Sequence, residues 1–208
     1  PQLPKRKARQ DIPMDELGPA TAKWDYQDAQ GRLIAVVTRY DPPGGRKEFR
    51  PWDVRKRKMA PPDPRPLYNQ PGLLAADTVV LVEGEKCAQA LIGQGICATT
   101  AMHGANAPVE KTNWSPLKGK SVLIWPDKDK PGWEYADRAA QAILASGAQH
   151  CAILYPPEGE PEGATLPKRF QPTAATAAHE ARPANNFQRN TEALAASGVW
   201  ATTTVAAT

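Results

Sequence analysis

The sequence predicts an α/β fold: a parallel sheet of about four strands flanked by helices, preceded by a small antiparallel β unit and followed by a disordered C-terminal tail. Three observations predict it. Between Thr78 and about Tyr155, short apolar runs alternate with helical segments, the pattern of a buried parallel sheet with helices on its faces. From Ala22 to Trp52, aromatic and β-branched stretches are separated by Gly-containing turns, the pattern of hairpins. Past Gly163, Ala and Thr dominate and apolar periodicity fades.

The elements follow in order. Residues 1–21 are basic and Pro-containing, with Lys5, Arg6, Lys7 and Arg9 clustered, and read as a solvated linker. Residues 22–54 form the small β unit: TAKWDY, a DAQG turn, RLIAVVTRYD, a PPGG turn and KEFRPW. Residues 55–75 are basic and then Pro-rich, which predicts an irregular connector. Residues 76–160 are the α/β unit. DTVVLVEG reads as a strand ending in Gly, and EKCAQALIGQG as a helix with Cys87, Ala90 and Leu91 on one face. ICATTAM is a second strand, the stretch from His103 to Lys120 a loop, and SVLIWPD a third strand. DKPG opens a second helix with Tyr135, Ala139, Ile143 and Leu144 on one face, and HCAILY is the fourth strand. Residues 161–208 are the irregular tail.

Bulk composition sets outer limits. The 208 residues suffice for one domain with appendages, and 41% apolar content with 22 Pro allows a core beside irregular chain. A net charge of +4 suits a polyanionic partner, although so small an excess is shared by many unrelated proteins. Cys87, Cys97 and Cys151 form no CxxC pair, which excludes a zinc ribbon, and their apolar settings read as thiols in a reducing cytoplasm. No stretch reaches the ~20 apolar residues of a membrane span, so no membrane partner is expected. The chain begins at Pro1 rather than Met, as a piece of a longer protein would.

The acids carry the chemistry. Glu83 directly follows one apolar run, and Asp127 and Asp129 follow another. Ligands bind at the carboxyl ends of strands in parallel α/β sheets. If the two strands are neighbours, three carboxylates meet on one rim, the hard oxygen ligands that Mg²⁺ takes together with water and phosphate. Acids at strand ends also cap helices, so each one alone is equally well explained without function. Three of them at two strand ends, each followed by Gly and a helix, favour a site.

The stretches VVLVEGEKCAQAL, ATTAMHGAN and VLIWPDKDKPGWEYADRAA resemble the Toprim domain of DNA primases, in particular those of phages, plasmids and mobile elements, some fused to helicases. The resemblance spans roughly residues 76–157, and a softer one covers the preceding W-x-Y-x-DA-x-G, KEFRPW and PRPLYN. It implies that Glu83 is an acid/base or metal-linked carboxylate, that Asp127 and Asp129 bind Mg²⁺ (or Mn²⁺), and that Gly104 matches the glycine of the second-strand loop. It also implies nucleotidyl transfer, in which a 3′-hydroxyl attacks the α-phosphate of a nucleoside triphosphate on a single-stranded DNA template. Lys86, Lys128 and Lys130 are the nearest candidates for holding phosphates, with ordinary surface lysines as the competing account. His103 is a nucleotide-contact candidate of lower weight, and Trp133 is expected to be more exposed than Trp125.

One departure stands out. The family's acidic stretch after the fourth strand is missing, and PPEGEPEG runs into ATLPKRF. Were Gly163 to Phe170 encoded GGC GCG ACG CTG CCG AAG CGT TTC, the frame displaced by two bases would read Arg-Asp-Ala-Ala-Glu-Ala-Phe, so a frameshift near residue 163 is the expectation for the tail. No GxxxxGK[ST] loop is present, which places any replicative helicase module elsewhere. Two alternatives remain open: a Toprim nuclease or topoisomerase-type enzyme, and a non-catalytic nucleic-acid-binding module.

Overall fold

The computed structural model describes residues 16–155 and the backbone of residues 201–204. Its first unit is a three-stranded antiparallel sheet of β1 (Ala22–Gln27), β2 (Leu33–Tyr40) and β3 (Glu48–Asp53), with β2 in the middle. Period-2 alternation puts Trp24 and Tyr26 of β1 opposite Val37 and Ala35 of β2, and these four pack on Met102 of the second unit. The edges carry exposed ion pairs, Lys23–Asp25 at 2.9 Å and Arg50–Glu48 at 2.6 Å, of the surface kind worth at most about 1 kcal/mol each.

The second unit is the α/β layer. Its strands are β4 (Thr78–Val82), β5 (Ala98–Thr99), β6 (Ser121–Trp125) and β7 (His150–Tyr155), parallel and ordered β5-β4-β6-β7. Both faces are covered, which explains why the strands read as continuous apolar runs. Val79, Leu81, Val122, Ile124, Cys151 and Ile153 face helix α3 (Lys130–Ala145) through Tyr135, Ala139 and Ile143. Their alternates Val80, Val82, Trp125 and Leu154 face helix α2 (Glu85–Ile92) through Ala88 and Leu91. Trp125 is buried, as its position at a strand end predicts, and Trp133 is half-buried. No helix among the described residues is long and apolar enough to cross a membrane.

Two expectations are corrected. The connector 55–75 is not wholly irregular: it contains a short helix, α1 (Gln70–Leu74), and sends Leu67 and Leu73 into the core. Pro71 sits in the first turn of that helix, where the missing N–H removes no helical bond, so a Pro-rich segment still nucleates a turn of helix. At the other end, Ala201–Thr204 forms β8, antiparallel to β7, with Ala152 opposite Thr204 and Tyr155 opposite Ala201. A run of β-branched Thr suits the open edge that β7 presents. The rest of the expected tail, with the proposed frame change, lies outside the described residues, as does the basic cluster of residues 5–9.

A polar seam joins the two units. The Tyr26 hydroxyl donates to Glu85 Oε1 at 2.7 Å with both side chains buried, and Trp24 Nε1–H donates to Gln89 Oε1 at 3.0 Å. Tyr26→Phe leaves a buried carboxyl oxygen without its donor. The expected loss is about 1–3 kcal/mol of stability in denaturant unfolding, and an unchanged midpoint would show that the seam contributes nothing.

Candidate active site

β4 and β6 are neighbours in register, with Val82 opposite Trp125, so the residues leaving their carboxyl ends are held side by side. Glu83 leaves β4 and turns at Gly84, whose φ of 96° is open to glycine and strained for other residues. Asp127 and Asp129 leave β6. Glu83 Oε1 accepts the Asp127 backbone N–H at 2.9 Å, which ties the two strand ends together. The Asp127 carbonyl accepts the Asp129 N–H at 2.8 Å, and Asp129 Oδ1 accepts the Gly132 N–H at 2.8 Å as the N-cap of α3.

Gly132 measures how tightly the acids converge. A Cβ there would lie 2.5 Å from the Asp127 carbonyl oxygen, 2.7 Å from Glu83 Oε1 and 3.1 Å from Asp129 Oδ1. Glu83, Asp127 and Asp129 also line one cleft of about 570 Å³. The three acids predicted from sequence are therefore brought together. Gly104 joins them, its φ of 55° carrying the backbone past Glu83, and its own Cβ position lies 4.0 Å from the Glu83 Cβ.

The electrostatics follow from this crowding. Burial, with the charges of Asp127 and Asp129 added, pushes the Glu83 carboxyl up from 4.5 to about 7 despite the N–H it accepts. Burial and the charge of Asp129 push Asp127 up from 3.8 to about 6, with Lys47 acting in the opposite direction. Carboxylates held in this way favour a cation. Among the described residues no group of three or more His, Cys, Asp or Glu side chains is arranged to hold a metal ion by itself.

The lysine candidates are placed differently. Lys86 is exposed in the first turn of α2, Lys128 is half-buried, and Lys130 is exposed and pairs with Glu134 at 3.7 Å. The cleft is instead lined by Lys47, which immediately precedes β3, by Phe49 of β3 and by His103. Lys47 and Phe49 were readable as one face of an extended KEFRPW segment, but nothing local said that this face meets the acids.

No protein-family model matches the chain, and no curated protein matches it in sequence. Its fold is similar to solved structures of DNA primases. A chain of a bacteriophage T7 assembly, in which lagging-strand DNA polymerase interacts with primase domains of two gp4 subunits bound to an RNA/DNA hybrid and dTTP, aligns with a TM-score of 0.51 at 16% identity, covering 67% of each chain. A primase domain from Pseudomonas aeruginosa aligns at 0.48 and 24% identity, over 66% of this chain and 44% of that one. A primase from Aquifex aeolicus aligns at 0.48 and 17% identity, over 65% and 34%. The chain thus spans less than half of the two bacterial structures. The T7 alignment shows that it carries a primase-type fold.

Two outcomes follow from the site. The folded chain retains protons on Glu83 and Asp127 that the unfolded chain has released, so their contribution to stability falls as pH rises, from 3.8 to about 6 for Asp127 and from 4.5 to about 7 for Glu83. In metal-free buffer, Glu83→Gln combined with Asp127→Asn is expected to unfold at higher denaturant than the unaltered chain at pH 8, with the gap closing by pH 4. A gap independent of pH would refute the assigned cause. Gly132→Ala forces a methyl against the Asp127 carbonyl oxygen, with an expected cost of about 1–3 kcal/mol by the same measurement.

Proposed function

We propose that this chain is the catalytic module of a DNA primase, a nucleotidyltransferase that extends a 3′-hydroxyl on single-stranded DNA using nucleoside triphosphates and a divalent cation. The observation that carries the proposal is the convergence of Glu83, Asp127 and Asp129 at the carboxyl ends of two adjacent parallel strands, in a cleft they share. The similarity of fold to primase structures supports the same reading.

Asp127 and Asp129 are the residues assigned to Mg²⁺. Asp129 spends Oδ1 on Gly132 and keeps Oδ2 for an ion. A bound Mg²⁺ would neutralise phosphate charge and polarise the reacting oxygens. Glu83, raised to about 7, has an affinity for a proton near the working pH, which suits it to accept the proton of the attacking hydroxyl. Its Oε1 is fixed by the Asp127 N–H, so the carboxyl group is oriented before substrate arrives. Lys47, which lines the same cleft, supplies a positive charge for a triphosphate entering among acids.

Primer synthesis on single-stranded DNA with nucleoside triphosphates and Mg²⁺ is the test. The chain should make primers, and Asp127→Asn should lower the rate by on the order of 10²-fold or more while the far-ultraviolet circular dichroism spectrum is unchanged. DNA binding with no Mg²⁺-dependent synthesis would instead assign the fold a non-catalytic binding role.

A further inference from the structure

His103 stands at the rim of the same cleft in an unusual backbone state. Its φ of 85° is in the left-handed region, which only a small share of non-glycine residues adopt. The turn that follows holds it there: Gly104 N–H donates to the Ala101 carbonyl at 3.1 Å, and Asn106 N–H to the His103 carbonyl at 3.2 Å. Strain of this kind persists where surrounding structure fixes it, and it concentrates at functional sites.

The ring is fixed as well. Arg65 Nη1 lies 2.7 Å from His103 Nδ1. A guanidinium only donates, so Nδ1 must accept, and the ring hydrogen must then reside on Nε2. Arg65 is itself anchored: its N–H donates to the Lys111 carbonyl at 2.7 Å, and its carbonyl accepts the Asn113 N–H at 2.8 Å. Partial burial and the adjacent cation both keep the imidazole neutral. No residue of the described chain hydrogen-bonds Nε2. His103 lines the cleft, so a ring N–H that no described residue accepts stands beside whatever enters.

We propose that Arg65 and His103 form a relay that presents His103 Nε2–H to a phosphate oxygen in the cleft, the Arg65 guanidinium fixing the tautomer from behind. The cleft's other nearby polar groups are mainly acids, which repel phosphate unless a cation intervenes. Neutral N–H donors, by contrast, add no charge to compete with a cation for the carboxylates. The cleft's volume of about 570 Å³ suits a small molecule, so the triphosphate of a nucleotide is the expected source of that oxygen rather than a DNA backbone. The inference rests on the nucleotide-handling reading of this cleft.

Two measurements on the 208-residue chain test it. Long-range ¹H–¹⁵N correlation spectra should show His103 as the Nε2–H tautomer, and an Nδ1–H tautomer would overturn the relay. Separate titrations with a Mg²⁺–nucleoside triphosphate and with a single-stranded oligonucleotide should then be run on the unaltered chain, His103→Gly and His103→Gln. Glycine suits the left-handed backbone but has no donor, so its triphosphate Kd should rise about tenfold or more. Glutamine keeps an N–H donor and should recover part of that loss, which a purely structural role would not allow. Oligonucleotide affinity should change less than twofold. Unchanged triphosphate affinity in His103→Gly overturns the relay and leaves the primase reading intact. A loss confined to the oligonucleotide overturns the assignment to a triphosphate, and failure of the unaltered chain to bind any triphosphate overturns both readings.

Discussion

A single backbone-to-side-chain hydrogen bond, from the Asp127 N–H to Glu83 Oε1, joins the ends of β4 and β6 and fixes the spacing of everything at the cleft floor. The strands arrive in register because their apolar residues interlock with α2 on one face and α3 on the other. Beyond Val82 and Trp125 no ladder remains to hold the chain, and the acids that follow repel one another. The bond to Glu83 supplies a local attraction there. It accepts a donor that no strand partner would otherwise satisfy.

The cleft is costly to build, and the costs are distributed. Glu83 and Asp127 are pushed up by burial and by neighbouring charge, His103 holds a left-handed backbone, and Gly132 is the only residue type that fits against the Asp127 carbonyl. These features oppose stability and gather around one cleft. The opposing contribution comes from the two apolar clusters beneath, where residues such as Leu81, Ile124, Tyr135 and Ile143 are almost wholly excluded from water. A rigid core under a strained rim is what orientation of reacting groups requires.

What was legible in the sequence follows from range. β4, β6, β7 and α3 read correctly because their signals are local: uninterrupted apolar runs for strands buried on both faces, and a 3.6-residue period with Pro131 and Gly132 in the first turn of α3. The three acids were legible because strand ends are local too. α1 was missed because the Pro that argued against structure occupies the one helical position that tolerates it. The lysines were chosen by proximity in sequence. Lys128 sits at the centre of the tight turn that the Asp129 N–H closes onto the Asp127 carbonyl, and Lys86 and Lys130 enter helices. Lys47 and Phe49 stand more than thirty positions before Glu83 and reach the cleft only because the small sheet docks on α2 and Met102. No local pattern carries such a docking.

Asp129 shows why the bland and the functional accounts of an acid need not compete. Its Oδ1 accepts the Gly132 N–H and completes the first turn of α3, the capping role that a strand-end acid most often has. A carboxylate has a second oxygen, and the cap determines where that oxygen points. The helix therefore positions the carboxylate: α3 is anchored in the core through Tyr135, Ala139 and Ile143, and its N-terminus carries Asp129 to a fixed place beside Glu83. In the proposed role as a Mg²⁺ ligand, an acid held by no cap would lose its side-chain freedom on binding the ion, whereas a capped one loses it during folding. The same residue thus links the packing of the sheet to the chemistry of its rim.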